Sequence, residues 1–157
     1  LEKISLQIND LSEMKIFATK LADYFIKNPA IIFLDGDLGA GKTTFTQFFA
    51  KEIGVNDIVT SPTFNIFKRY QGLKTFLNHF DLYRIKENVY DQGFEEYWFS
   101  NEISIIEWSI YLPDEFKEMF NLKISIDIVD ENIRKIELNG DNLVISYIKE
   151  NCHEFIY

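Results

Sequence analysis

The chain has 157 residues, 46% of them hydrophobic and 26% charged, and a formal net charge of −9. That is enough apolar material for one sizeable core and too little for two, so a single domain over residues 1–157 is expected. No run of about 18 apolar residues occurs, which argues against a membrane partner, and the acidic balance argues against unaided binding of nucleic acid, which is gripped mainly by an excess of Lys and Arg.

Leu1 to Asp10 mixes Glu2, Lys3 and Asp10 with alternating apolar residues, which is not the layout of a secretory signal. A start on Leu1 rather than Met is consistent with a missing original start. Cys152, the only cysteine, allows no internal disulfide or multi-cysteine zinc site, so a cytoplasmic location is expected. Ile4, Leu6 and Ile8 alternate with polar residues and predict a short strand. Asp10 followed by Glu13 then reads as a capping box opening a helix to about Lys27. Asn28 and Pro29 break that helix, and the apolar run Ala30 to Leu34 predicts a strand buried on both faces.

Phe45, Phe48, Phe49 and Ile53 recur at helical spacing, predicting a helix from Lys42 that stops at Gly54. Thr63 to Tyr70 and Thr75 to Asp81, separated by a turn containing Gly72, predict a hairpin. Lys68, Arg69 and Lys74 are read as its solvated face. Glu87 to Phe99 is expected to be helical with a break near Gly93, and Ile103 to Ile106 to be a central strand. Leu122 to Ile128 and Ile133 to Leu138 predict a second hairpin around Asp130 to Asn132, with a closing helix over Asp141 to Asn151.

Between the second strand and the second helix lies Gly36-Asp37-Leu38-Gly39-Ala40-Gly41-Lys42-Thr43, which fits G-x-x-x-x-G-K-[ST] in the context that gives this pattern meaning. Its glycines let the backbone curl so that successive N–H groups face phosphate oxygens, and the following helix presents its positive end to the same anion. Lys42 is expected to meet the β- and γ-phosphates, Thr43 to ligate magnesium and Thr44 to touch the α-phosphate. A bound magnesium also needs a carboxylate, and two acids end predicted strands: Glu107 after Ile103 to Ile106, and Asp81 after Thr75 to Phe80. Either could equally be an ordinary surface acid. Asp35 is read as capping or solvating the loop and Asp37 as bracing it. From the residues alone, Trp108 is read as a core anchor and His79 as a structural histidine. Arg84 is open between an arginine finger and an ion pair.

No N/T-K-x-D guanine-reading motif is present, which favours ATP over GTP. With only Arg69, Arg84 and Arg134, widely spaced, the arginine-rich lid of a small-molecule kinase is not apparent, although that class and a non-catalytic nucleotide-sensing adaptor remain the alternatives.

Gly36 to Thr44, then Ser61-Pro62-Thr63-Phe64, then His79-Phe80-Asp81-Leu82-Tyr83-Arg84, and finally Ile106-Glu107-Trp108 together resemble the TsaE (YjeE) family of P-loop ATPases serving bacterial tRNA threonylcarbamoyladenosine synthesis. The resemblance spans roughly Asp10 to Asp127. It implies an α/β, P-loop NTPase-like three-layer fold, its mixed sheet having a parallel centre and antiparallel edges. ATP and Mg2+ would be the cofactors. Lys42, Asp81 and Glu107 would be catalytic, and Thr43 and Glu107 would face the metal. The nucleotide would be bound by Asp10, Gly36, Asp37, Leu38, Gly39, Ala40, Gly41, Lys42, Thr43, Thr44, Trp108 and, from the later hairpin, Asn132. Ser61 to Phe64 would be a switch-like segment near the γ-phosphate. The resemblance further implies an ATPase that is weak alone and acts on TsaD and TsaB proteins, with tRNA engaged only through those partners. The tail from Asn151 to Tyr157 matches no pattern of that family.

Overall fold

The computed structural model describes residues 1–157, the side chains of Glu87, Asn88 and Asp91 excepted. Seven strands form one sheet in the order β1-β7-β6-β2-β5-β4-β3. Their ranges are β1 Glu2–Ile8, β2 Ile31–Gly36, β3 Phe67–Gln71, β4 Phe76–Asp81, β5 Ile103–Glu107, β6 Leu122–Ile128 and β7 Arg134–Gly140. β2 runs parallel to β5 and β6, and β4 parallel to β5; β1, β7 and β3 pair antiparallel at the two sides. This is the mixed sheet with a parallel centre and antiparallel edges that the family resemblance implies.

The helices are α1 Leu11–Lys27, α2 Lys42–Glu52, α3 Glu95–Trp98 and α4 Asn142–Asn151. α1 begins where Asp10 accepts the Glu13 N–H at 2.8 Å, while the Glu13 carboxylate reaches back to the Asn9 N–H at 2.7 Å. The reciprocal cap thus closes one residue earlier than a standard capping box. Met14, Phe17, Ala18, Leu21, Ala22 and Phe25 form its buried stripe, the three-and-four spacing that keeps one helix face on a core. α1, α2 and α4 cover one face of the sheet; Phe45 of α2 lies 5.9 Å from both Phe17 and Phe49. Each such buried aromatic contributes about 1.5–3 kcal/mol by leaving water.

The other face of the parallel centre is covered by a second cluster, in which Phe80 of β4 packs against Phe67, Phe94 and Trp98. A 3-10 turn at Lys86–Gln92 and the short α3 carry this cover, with Gly93 between them at φ 69. The break expected at Gly93 is therefore present, but the part of the expected helix before it is 3-10 and only Glu95–Trp98 is α-helical.

Thr63 to Ile66 do not form the expected strand. The N–H groups of Asn65 and Ile66 both donate to the Pro62 carbonyl, and Ile66 adopts φ 68, so the chain turns before β3 begins. At the other end, His153–Phe155 make a 3-10 turn and Ile156 bridges Leu6, placing the tail on the edge of β1. Among the described residues no helix is long and apolar enough to cross a membrane.

Candidate functional site

The chain leaves β2 at Gly36, curls through Gly39 at φ 82 and Gly41 at φ 115, and enters α2 with Gly41 as its cap. Those left-handed angles suit glycine because a Cβ would crowd the backbone. Gly36 is restricted by space: a Cβ there would stand 2.7 Å from the carbonyl oxygen of Ile126 on β6. The first α2 bond runs from the Phe45 N–H to the Gly41 carbonyl at 2.9 Å, so the amides ahead of Phe45 are the unpaired donors of a helix start. Asp37, Leu38 and Gly39 are exposed at the loop tip, and Leu38 is 94% accessible.

Sheet register assembles the acids. Leu34 at the end of β2 pairs with Glu107 on β5, and Glu107 pairs with Asp81 on β4. Both carboxylates are buried, each only 2% exposed, and face a cavity of about 210 Å3 with Lys42, Thr43, Thr44 and Thr63. Asp81 accepts the Thr63 hydroxyl at 2.8 Å and the Tyr83 N–H at 3.0 Å, so both of its oxygens are engaged. Glu107 presents Oε1 3.9 Å from the Lys42 ammonium, and its Oε2 lies 2.6 Å from His79 Nε2. The ammonium itself donates to the Gly36 carbonyl and sits 4.8 Å from the centre of the Trp108 ring.

Trp108 is not simply a core anchor. It is half-buried, packs on the second cluster and against Tyr83 and Tyr111, and offers its ring to Lys42. Its backbone lies at φ 57, a left-handed conformation costly for a large side chain and held here by neighbouring bonds. Asp35 supplies them, accepting both the N–H and the hydroxyl of Ser109. Asp35 therefore braces the corner after β5 rather than capping the loop.

On the other side of the loop, a cavity of about 140 Å3 is lined by Asp10, Met14, Gly39, Thr44, Asn132 and Arg134. It brings together the N-cap of α1 and the turn of the second hairpin, 122 positions apart in the sequence (132 − 10). Arg134 pins this side by donating to the Ala40 carbonyl at 2.8 Å and to the Asp130 carbonyl at 2.8 Å. Arg84 donates to the Phe64 carbonyl at 3.0 Å, and Arg69 pairs with Glu102 at 2.5 Å, which ties the hairpin's basic face to the start of β5.

His79, Ser109 and Arg134 were not among the expected catalytic or binding residues, and Thr63 was expected only as part of the switch-like segment Ser61 to Phe64. His79 had a usable signal, since alternation along a strand puts His79 and Asp81 on one face. The others depend on tertiary neighbours.

The donor set suits a triphosphate and magnesium. A helix start behind glycines at positive φ and one ammonium offer N–H donors to an anion, while threonine hydroxyls and one half-free carboxylate offer hard oxygen ligands, and magnesium is commonly held by one or two carboxylates together with substrate phosphates.

The family profile "Threonylcarbamoyl adenosine biosynthesis protein TsaE" matches residues 8–136. The chain is 39% identical over 117 residues to the tRNA threonylcarbamoyladenosine biosynthesis protein TsaE of Bacillus subtilis, an alignment covering 74% of this chain and 73% of that protein. It is 35% identical over 144 residues to the protein of the same name from Rickettsia prowazekii, covering 90% and 98%. A crystal structure of Bacillus subtilis YdiB superposes with a TM-score of 0.73 at 28% identity, covering 98% of this chain and 96% of that one.

Proposed function

The chain belongs to the TsaE family, whose members take part in tRNA threonylcarbamoyladenosine biosynthesis, and from this we propose that it is the ATP-binding and ATP-hydrolysing subunit of that process, a cytoplasmic protein acting on a complex of TsaD and TsaB proteins. The observation that carries the reading is the register Leu34, Glu107, Asp81, which sets two buried carboxylates beside a glycine loop.

In this reading the loop amides and the start of α2 hold the triphosphate, and Lys42 turns from the Gly36 carbonyl to neutralise the β- and γ-phosphates. The cavity between Asp10 and Asn132 receives the base. Thr43 and Glu107 would hold magnesium, which when bound draws charge from the phosphate oxygens. Trp108 stacks over the lysine and keeps water from its flank. Water attacks the γ-phosphorus as the bond to the β-phosphate oxygen breaks, its proton passing to the phosphate oxygens and on to solvent, giving ADP and inorganic phosphate.

Asp81 acts by positioning. Each of its oxygens already accepts one bond, one of them from Thr63, so it links the Ser61 to Phe64 segment to the site. Catalysis then rests on orientation and charge neutralisation, which suits slow turnover alone and stimulation by partners. The net charge of −9 suits partners that hold the tRNA.

ATP hydrolysis with and without the TsaD and TsaB proteins of the same organism tests this. Stimulation that vanishes in Lys42→Ala supports it. The occupied oxygens of Asp81 favour one second reading, a non-catalytic nucleotide-sensing adaptor; tight ATP binding with no phosphate released even with both partners would support that instead. Phosphate appearing on a metabolite would indicate a small-molecule kinase.

A further inference from the structure

We propose that His79 is a positioning residue that holds Glu107 in the orientation needed at the metal side of the site and keeps it from closing onto Lys42. This rests on the reading of Glu107 as a magnesium ligand.

His79 lies in β4 opposite Ile105, two residues before the Asp81 and Glu107 pair, and on the same strand face as Asp81. Its side chain is fully buried, and Nε2 stands 2.6 Å from Oε2 of Glu107. Nδ1 is buried without a hydrogen-bond partner among the described residues. A carboxylate oxygen can only accept, so the ring nitrogen that faces it at this distance is one that carries a proton. Nε2–H thus donates to Oε2 of Glu107, and the second carboxylate oxygen is left for the cavity.

That oxygen, Oε1, is 3.9 Å from the Lys42 ammonium, beyond a direct hydrogen bond. A glutamate released from His79 would have the rotamer freedom to meet Lys42 head on, in a site where both groups are buried and their attraction is weakly screened. Such a pair would occupy the cation meant for phosphate and the carboxylate meant for the metal. By holding Oε2, His79 leaves Oε1 aimed at the cavity and Lys42 on the Gly36 carbonyl. Outer residues that orient a ligand in this way act through it, without touching substrate.

Two measurements on the full chain test this. In the nucleotide-free wild type, a long-range nitrogen–proton NMR spectrum is expected to show His79 with a proton fixed on Nε2; an Nε2 that carries no proton overturns the proposal. Calorimetric titration with ATP, in EDTA and then in magnesium, measures how much the metal tightens binding. His79→Phe, checked for a cooperative melting transition, is expected to lose about 10- to 100-fold of that gain, and His79→Gln, which places an amide N–H near the Nε2 position, to restore most of it. A full gain in His79→Phe, or no restoration by His79→Gln, overturns the role of His79 alone. A wild type with no gain from magnesium removes the metal-side reading of Glu107 and this proposal with it.

Discussion

Asp35 holds Ser109 through both of its carboxylate oxygens, taking the backbone N–H at 2.9 Å and the hydroxyl at 2.5 Å. The residue just before the glycine loop thereby anchors the residue just after Trp108, and fixes a tryptophan whose backbone sits at φ 57. Asp35→Ala leaves two buried donors unmatched, at a cost of about 1–3 kcal/mol for each that water cannot reach. The denaturation midpoint is expected to fall, and Trp108 emission in a Trp98→Phe background to shift to the red. An unchanged midpoint and spectrum would show that the corner is held by other contacts.

Lys42 and Glu107 are expected to separate binding from turnover. Lys42→Ala removes the site's ammonium and should weaken ATP binding severely with or without magnesium, whereas Glu107→Ala leaves the loop intact and should suppress hydrolysis while losing only the part of the affinity that magnesium adds. Equilibrium binding and phosphate release, measured on both variants, check this. Hydrolysis at the wild-type level in both would end the assignment of this site.

Thr63 is the only side chain that binds Asp81 from the segment between Ser61 and Phe64. Thr63→Val keeps the shape and removes the bond, and turnover is expected to drop between about 10- and 100-fold with ATP affinity little changed, as for a loss of alignment. Thr63→Ser should retain most activity. Equal turnover for Val and Ser at this position would show that the hydroxyl has no part in the chemistry.

Gly36→Ala puts a methyl group against the Ile126 carbonyl oxygen, a backbone atom with little freedom to retreat. Either β6 or the loop must move, so both stability and ATP binding are expected to fall, the latter without loss of any phosphate-binding side chain. A melting curve and a binding isotherm that match the wild type would refute the tight packing seen between β2 and β6.

Cys152 is fully buried, and burial pushes its thiol up to about 11 from an ordinary 9.0. A thiol raised in the folded state loses its proton first in the unfolded chain, so the folded state is favoured below about pH 9 and this advantage disappears as pH rises toward about 11. The loss amounts to about 2–3 kcal/mol at most. Urea midpoints compared at pH 7, 9 and 10.5 should fall more steeply for the wild type than for Cys152→Ala. Parallel curves would show that the thiol contributes nothing to alkaline sensitivity.

By itself the sequence determined the local elements: the cap at Asp10, the stripe of α1, the buried strand before Gly36, and the loop and helix after it. Helices bond within a few residues and a glycine loop is a local necessity, so these features are written in short spacings. Asp81 and Glu107 were also legible, each as an acid at a strand end. Their adjacency was not, because it depends on β4 pairing with β5. Only the tertiary structure decided that His79 reaches Glu107 across 28 positions, Asp35 reaches Ser109 across 74 and Arg134 reaches Ala40 across 94. It also decided that Thr63 to Ile66 turn instead of extending: β propensity gave way where Pro62 collects two N–H bonds and Asp81 takes the Thr63 hydroxyl. Strand order brings such partners together, and a parallel sheet draws its neighbours from distant parts of the chain, where no local spacing records them.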